Sequence, residues 1–301
     1  YAPGGQAAYP SSVLMGVVPA KAAQVGEVVV CSPPDATGMP ASGVLAACAI
    51  GHADRLFAVG GAGAIAALTY GTETIPSTDT VVGPGNRWVT EAKRQVAGHV
   101  LIDTPAGPSE VLVLADSTAD PYFVALELLA QAEHDADTSC VLVTTSDHIA
   151  KETEAVLSEL LEKTPRSETC RQALKSGGAI LRAGTFNEAL AFAENYAPEH
   201  LSLMTADPAA HAKQIRAVGT VFFGSGASVA FGDYITGANH VLPTAGRARS
   251  FSGLSAQHFL RSYTIQEIDT EGARSMAADL AVLAEEEGLP AHAAAALARR
   301  A

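Results

Sequence analysis

A chain of 301 residues, 48% of them hydrophobic and 17% charged, carries enough apolar mass for a sizeable core, and at roughly 150 residues per domain it has room for about two domains. Nineteen Lys and Arg against 32 Asp and Glu leave a formal charge of −13, the wrong sign for a surface that neutralises phosphates or lipid headgroups, so nucleic acid and membrane drop out as partners. There is no run of about 18 apolar residues and no basic, apolar leader, and the expectation is a soluble, cytoplasmic protein. Cys31, Cys48, Cys140 and Cys170 lie too far apart for a CxxC pair or a dense disulfide framework, and read as small buried hydrophobes.

Short β-branched or apolar runs fall at 28–30, 56–59, 81–82, 111–114, 141–144, 179–181, 201–204 and 220–223, nearly all bounded by Gly, Pro or Asp. Between them lie stretches with helical spacing, including 121–133, 146–163, 186–196, 208–217 and 272–286. Such alternation predicts βαβ units and a parallel sheet. The runs before Leu101 are expected to serve one sheet. Two prolines and a glycine in 104–108 break both periodicities, which places a domain crossing near 109. From about 255 the chain is Ala-rich and helical without strand signals, an appendage that packs on something else. The expected divisions are 1–109, 110–254 and 255–301.

Several local patterns could carry chemistry. Gly61-Ala62-Gly63-Ala64-Ile65-Ala66 matches G-x-G-x-x-A ahead of a helix, the arrangement that places pyrophosphate at a helix N-terminus, although small residues also let a helix pack closely on a strand. Gly83-Pro84-Gly85-Asn86 opens another helix, with Asn86 as N-cap or as a ligand-facing amide. Gln131-Ala132-Glu133-His134 closes the helix from 121, and the i, i+3 spacing brings Gln131 and His134 to one face. Alone they read as a surface pair; His with carboxylate and amide oxygen donors would suit Zn²⁺ or a neighbouring divalent ion. Asp135 and Asp137 read as an acidic loop. Tyr196-Ala197-Pro198-Glu199-His200 feeds the amino end of strand 201–204, and ligands favour the carboxyl ends of parallel strands, which argues against Glu199 and His200. Adjacent Glu and His nonetheless offer two bases of different strength for multistep proton transfer. Gly232-Asp233-Tyr234 and Gly237-Ala238-Asn239-His240 hold too much Gly for a strand, and are expected as loop, either turn-forming or functional.

Taken together, Gly83-Pro84-Gly85-Asn86, Thr90-Glu91-Ala92-Lys93-Arg94, the stretch 103–110 (DTPAGPSE), Gln131-Ala132-Glu133-His134, Pro198-Glu199-His200-Leu201, Asn239-His240-Val241-Leu242-Pro243-Thr244 and Leu289-Pro290-Ala291-His292 closely resemble the histidinol dehydrogenase family over essentially the whole chain. The resemblance implies an α/β protein of two Rossmann-like doubly wound domains plus a helical C-terminal tail. The NAD side would be 1–109 and the metal and substrate side 110–254, its first half supplied by a segment ahead of Tyr1. The tail, 255–301, would form a homodimer. The implied Zn²⁺ ligands are Gln131, His134 and Asp233, with His292 reaching in from the other subunit. The implied acid/base pair is Glu199 and His200. Ser109, His240 and Glu287 would contact substrate, and Tyr1 and Asn86 would contact NAD; Gly63 stands where the family has a Gln that touches NAD. The implied reaction oxidises L-histidinol through L-histidinal to L-histidine, the last steps of histidine biosynthesis. A paralogue acting on another chelating alcohol, such as a sulfonated diol, and a truncated non-catalytic homologue are the alternatives.

Overall fold

The computed structural model describes residues 1–4, 8–224 and 226–300, in two units, Tyr1–Leu260 and Arg261–Ala301. The first unit opens with α1 (Pro10–Ala22), β1 (Val29–Ser32), α2 (Ser42–Gly51), β2 (Arg55–Ala58), α3 (Gly61–Tyr70), β3 (Thr80–Val81), α4 (Arg87–Val96) and β4 (Leu101–Ile102). It continues with β5 (Glu110–Ala115), α5 (Pro121–Ala132), β6 (Ser139–Thr144), α6 (Asp147–Lys163), α7 (Ser167–Gly177) and β7 (Gly178–Arg182). Then come α8 (Phe186–Tyr196), β8 (His200–Met204), α9 (Pro208–Ala212), β9 (Thr220–Phe223) and α10 (Val229–Tyr234).

Strands β5 to β9 form one parallel sheet in the order β7-β6-β5-β8-β9. The chain winds outward from β5 to β7, then returns to the other side of β5 for β8 and β9, the doubly wound topology. Residues Val111, Val113 and Ala115 of β5 face a core made with α5, α6 and α7, while Leu112 and Leu114 face one made with α8. Both faces of the strand are therefore covered, which is why its sequence is a continuous apolar run and not an alternation. The helices start where their caps dictate: Asp120 accepts from Tyr122 N ahead of Pro121, Ser146 from Ile149 N, and Thr185 and Glu188 form a reciprocal capping box. The helix expected over 208–217 stops at Ala212. Glu194 takes the N–H groups of Arg216 and Ala217 (2.9 and 3.3 Å), so the backbone leaves the helix with its donors satisfied while Ile215 and Ala217 enter the core.

The first hundred residues do not form the single expected sheet. They hold two parallel pairs, β1-β2 and β3-β4. Tyr1 and Ala2 run between the pairs: Tyr1 N bonds to Val82 O at 2.7 Å and Ala2 N to Cys31 O at 3.0 Å. Beyond them a cavity of about 480 Å³ separates residues 28–30 from 76–82. Below this opening the structure is tied by a buried cation. Lys93, 2% exposed, pairs with Asp103 and donates to Gly83 O at 2.9 Å, and Asp103 accepts from Gly83 N at 2.8 Å. Gly83 is required here because its φ is 114° and a Cβ would lie 2.0 Å from Tyr1 O. Lys93→Met would leave the Asp103 carboxylate buried and unpaired, and is expected to cost about 3–5 kcal/mol, read as a lower urea midpoint; an unchanged midpoint would show that the pair is dispensable.

All four cysteines are buried and free. Cys31 and Cys48 sit in the cores around β1 and α2, Cys140 and Cys170 in the core under α5 to α7. Burial raises each thiol, that of Cys140 to about 12.

The second unit contains α11 (Thr270–Glu286), capped by Asp269, and α12 (Pro290–Leu297), joined through Gly288 at φ 72°. Its own core is three alanines, Ala281, Ala284 and Ala293, while Leu280, Val282, Leu283 and Leu297 are exposed. No helix among the described residues is long and apolar enough to cross a membrane.

Candidate functional site

Glu199 and His200 stand at the amino end of β8, with His200 opposite Val111 of β5, the end of a parallel sheet where ligands are not expected. The helix after β5 changes that. α5 leaves the carboxyl end of β5 and runs back, so its last turn returns to the amino end with Gln131, and His134 follows through His134 N→Gln131 O (3.2 Å). The segment expected as a loop around Asp233 is instead the short helix α10. Its first N–H, that of Val229, is taken by the buried carboxylate of Glu127 at 3.0 Å. Gly232 lets α10 lie on Phe222, since a Cβ there would be 2.5 Å from the ring. After α10, Asn239 Nδ2 donates to Met15 O at 2.8 Å, and the His240 ring bridges Asp233 O (3.1 Å) and Ser12 Oγ (3.3 Å), fastening this stretch to α1.

Gln131, His134 and Asp233 thereby line one cavity of about 380 Å³, together with Tyr9, Ser11 and Arg166. His200 Nε2 lies 3.8 Å from Asp233 Oδ1. His200 Nδ1 is 3.1 Å from Glu110 O, and because a carbonyl only accepts, Nδ1 carries the hydrogen and Nε2 the lone pair. That Nε2 is buried without a hydrogen-bond partner among the described residues. Burial, with the neighbouring His134 and His240 adding to it, depresses the imidazole to about 4, so the ring is neutral at physiological pH. Burial pushes the Glu199 carboxyl in the opposite direction, well above the usual carboxylate range, and Glu110 and Asp233 add repulsion.

The three cavity residues fit a cation. Among the described residues the side chains of Gln131, His134 and Asp233 make no hydrogen bond, although Gln131 is 2% and Asp233 9% exposed, and buried polar groups ordinarily have partners. Burial, then the charge of Glu127, raises Asp233 to about 6, and burial lowers His134, which keeps that imidazole neutral and able to ligate. No cluster of three His, Cys, Asp or Glu occurs among the described residues; the third donor of this set is the amide oxygen of Gln131.

At the carboxyl ends of β2 and β3 the residues fit a dinucleotide. Asn86 caps α4, accepting from Trp88 N and Val89 N (3.1 and 3.2 Å), which leaves its exposed amide nitrogen as a donor. The Tyr1 hydroxyl accepts from Gly61 N at 3.2 Å at the start of α3, and Gly63 is exposed, with nothing within 4 Å of where a Cβ would stand. Ser109 is half-buried just before β5. Glu287 and His292 belong to the second unit, where both are exposed. Asp135 and Asp137 form an ordinary acidic turn, with Asp137 N on Asp135 Oδ1 at 3.0 Å.

Glu110 was not singled out by the sequence. Its signal was there: a charge opening the otherwise apolar strand β5, 7% exposed. Burial raises its carboxyl above the ordinary value, against the pull of the Ala245 and Glu199 N–H groups. The folded chain therefore keeps a proton that the unfolded chain releases near pH 4.3, roughly. This group's contribution to stability is fullest below that pH and is lost as pH rises through the folded value. Glu110→Gln, which cannot ionise, should gain stability over the wild type on going from about pH 4 to about pH 8. Urea midpoints measure this; a difference independent of pH would acquit the carboxyl.

The histidinol dehydrogenase family model matches residues 1–300. The histidinol dehydrogenase of Halobacterium salinarum is 51% identical over 300 residues, which are 99% of this chain and 70% of that protein. That of Methanothermobacter thermautotrophicus is 48% identical over 293 residues, 97% of this chain and 69% of that one. The crystal structure of histidinol dehydrogenase from Elizabethkingia anophelis matches the fold with a TM-score of 0.94 at 39% identity, covering 99% of this chain and 69% of that chain. The chain belongs to the histidinol dehydrogenase family.

Proposed function

We propose that this oxidoreductase of histidine biosynthesis converts L-histidinol to L-histidine through L-histidinal, by two NAD-dependent oxidations at the cavity beside Glu199 and His200. The observation that carries the reading is the His200 Nε2, without a hydrogen-bond partner among the described residues and 3.8 Å from Asp233, which lines one cavity with Gln131 and His134. Gln131, His134 and Asp233 would hold Zn²⁺ with His292 of a second subunit, Tyr1 and Asn86 would contact NAD, and when bound these groups supply a grip on the substrate's nitrogens and a hydride acceptor. Ser109, His240 and Glu287 would position the substrate.

His200 Nε2 takes the hydroxyl proton as hydride departs, and the Asp233 carboxylate 3.8 Å away stabilises the imidazolium that results. Glu199, whose burial strengthens it as a base, takes a proton from the water that adds to the aldehyde. The same pair thus serves both oxidations in turn. The exposed leucines and valine of α11 and α12, around a core of three alanines, support a homodimer built on the second unit. Four unpaired buried thiols support a reducing, cytoplasmic setting.

The test is NADH formation from L-histidinol, L-histidinal and a sulfonated diol, before and after chelation. Turnover of histidinol and histidinal, lost on chelation and recovered with Zn²⁺, is expected. Turnover of the diol alone would favour the paralogue, and metal-free activity would overturn the zinc assignment.

A further inference from the structure

On the β9 side Thr220 N donates to Glu199 O at 2.9 Å, whereas on the β5 side the Glu199-His200 dipeptide meets a single residue, Glu110. The β5/β8 ladder begins at Val111 and His200, and one step before it no backbone bond joins these two strands. There, side chains replace the missing ladder. Glu110 N donates to Glu199 Oε2 at 2.8 Å, and Glu199 N donates back to Glu110 Oε1 at 3.3 Å. The same Oε1 accepts from Ala245 N at 2.9 Å, the Glu110 carbonyl faces His200 Nδ1 at 3.1 Å, and the Tyr196 hydroxyl and Arg247 face the carboxylate. The chain on either side has little preference of its own for this path: Ala197 and Ala245 lie at φ 51° and 53°, where L residues with a Cβ are uncommon.

We propose that Glu110 is a positioning residue for the reaction, acting through its neighbours: its carboxylate closes the amino end of the β5/β8 ladder around Glu199, and its carbonyl fixes the His200 ring with Nε2 toward Asp233. The proposal rests on Glu199 and His200 being the acid/base pair. Reach, not charge, is what the arrangement demands of the side chain, because each bond to its Oε1 needs only an acceptor at that distance from β5. A glutamine satisfies this requirement; an aspartate, one methylene shorter, does not.

The experiment compares Glu110→Ala, Glu110→Asp and Glu110→Gln in the metal-loaded enzyme. It reads kcat and KM for L-histidinol, metal content, and the nitrogen-15 signals of the histidine rings, with His200 assigned by its absence in His200→Ala. Glu110→Ala and Glu110→Asp should lower kcat about 10- to 100-fold, the usual cost of losing a residue that orients a catalytic group. KM and metal content should barely move, and His200 should lose its pure Nδ1–H tautomer signature. Glu110→Gln should keep both kcat and tautomer near wild type. Unchanged kcat and tautomer in Glu110→Ala and Glu110→Asp would overturn the proposal. A changed tautomer with unchanged kcat would uphold the clamp and remove His200 from the chemistry. Should Glu110→Ala not fold, the remaining pair decides: an impaired Asp variant beside an active Gln variant supports positioning, and the reverse order defeats it.

Discussion

His200→Ala is expected to slow the first oxidation, alcohol to aldehyde, by a factor on the order of 10²–10⁴, the range for losing a general base. The expectation follows from the ring's state. Its Nδ1 hydrogen is committed to Glu110 O, its Nε2 has no partner among the described residues, and burial holds its pKa near 4, so the imidazole reaches neutral pH unprotonated. Glu199→Gln acts on the other half of the sequence. The amide keeps an acceptor for Glu110 N, so the backbone geometry survives while the base is lost, and oxidation of aldehyde to acid should suffer more than oxidation of alcohol to aldehyde. Single-turnover rates from L-histidinol and from L-histidinal separate the two. Equal losses in both half-reactions would mean that the roles have been divided wrongly.

Asp233→Ala and His292→Ala should each reduce turnover to background, and mixing the two inactive proteins should bring it back. If a site takes Asp233 from one chain and His292 from the other, a mixed dimer combines the intact Asp233 of the His292→Ala chain with the intact His292 of the Asp233→Ala chain. One of its two sites is then whole and the other lacks both ligands, as an isologous two-fold interface requires. If His292 served its own chain, every site would lack one ligand. Unfolding and reassembly of an equal mixture, with heterodimers verified by mass, gives the answer; persistent inactivity would exclude a shared site.

The strand runs at 28–30, 111–114, 141–144 and 201–204 were legible because a strand covered on both faces is a continuous apolar run, and the structure places β1, β5, β6 and β8 on them. β4 was not, since two residues, Leu101 and Ile102, give no periodicity. The single sheet expected before Leu101 failed for a reason that local sequence does not carry: Tyr1 and Ala2 occupy the space between β1 and β3. The end of helix α9 was set by Glu194, a residue of another helix. At the candidate site, Gln131 and His134 were readable as one face of one helix. Their meeting with Asp233 was not, because it depends on α5 returning to the amino end of the sheet and on Glu127 anchoring α10 from about a hundred residues away. Position along the strand weighed against Glu199 and His200 for the same reason.

The buried thiols turn the molecule into its own recorder of breathing. A thiol reagent modifies the thiolate, so a cysteine raised and enclosed as these are reacts only when its surroundings open. Cys31 and Cys48 report on the cores around β1 and α2, Cys140 and Cys170 on the core beneath α5 to α7. When reclosing outpaces modification, the labelling rate of each gives the free energy of its own opening. Mass-resolved labelling over hours, without denaturant, would therefore show whether the part around β1 and α2 and the part that holds Gln131 and His134 come apart together or one before the other.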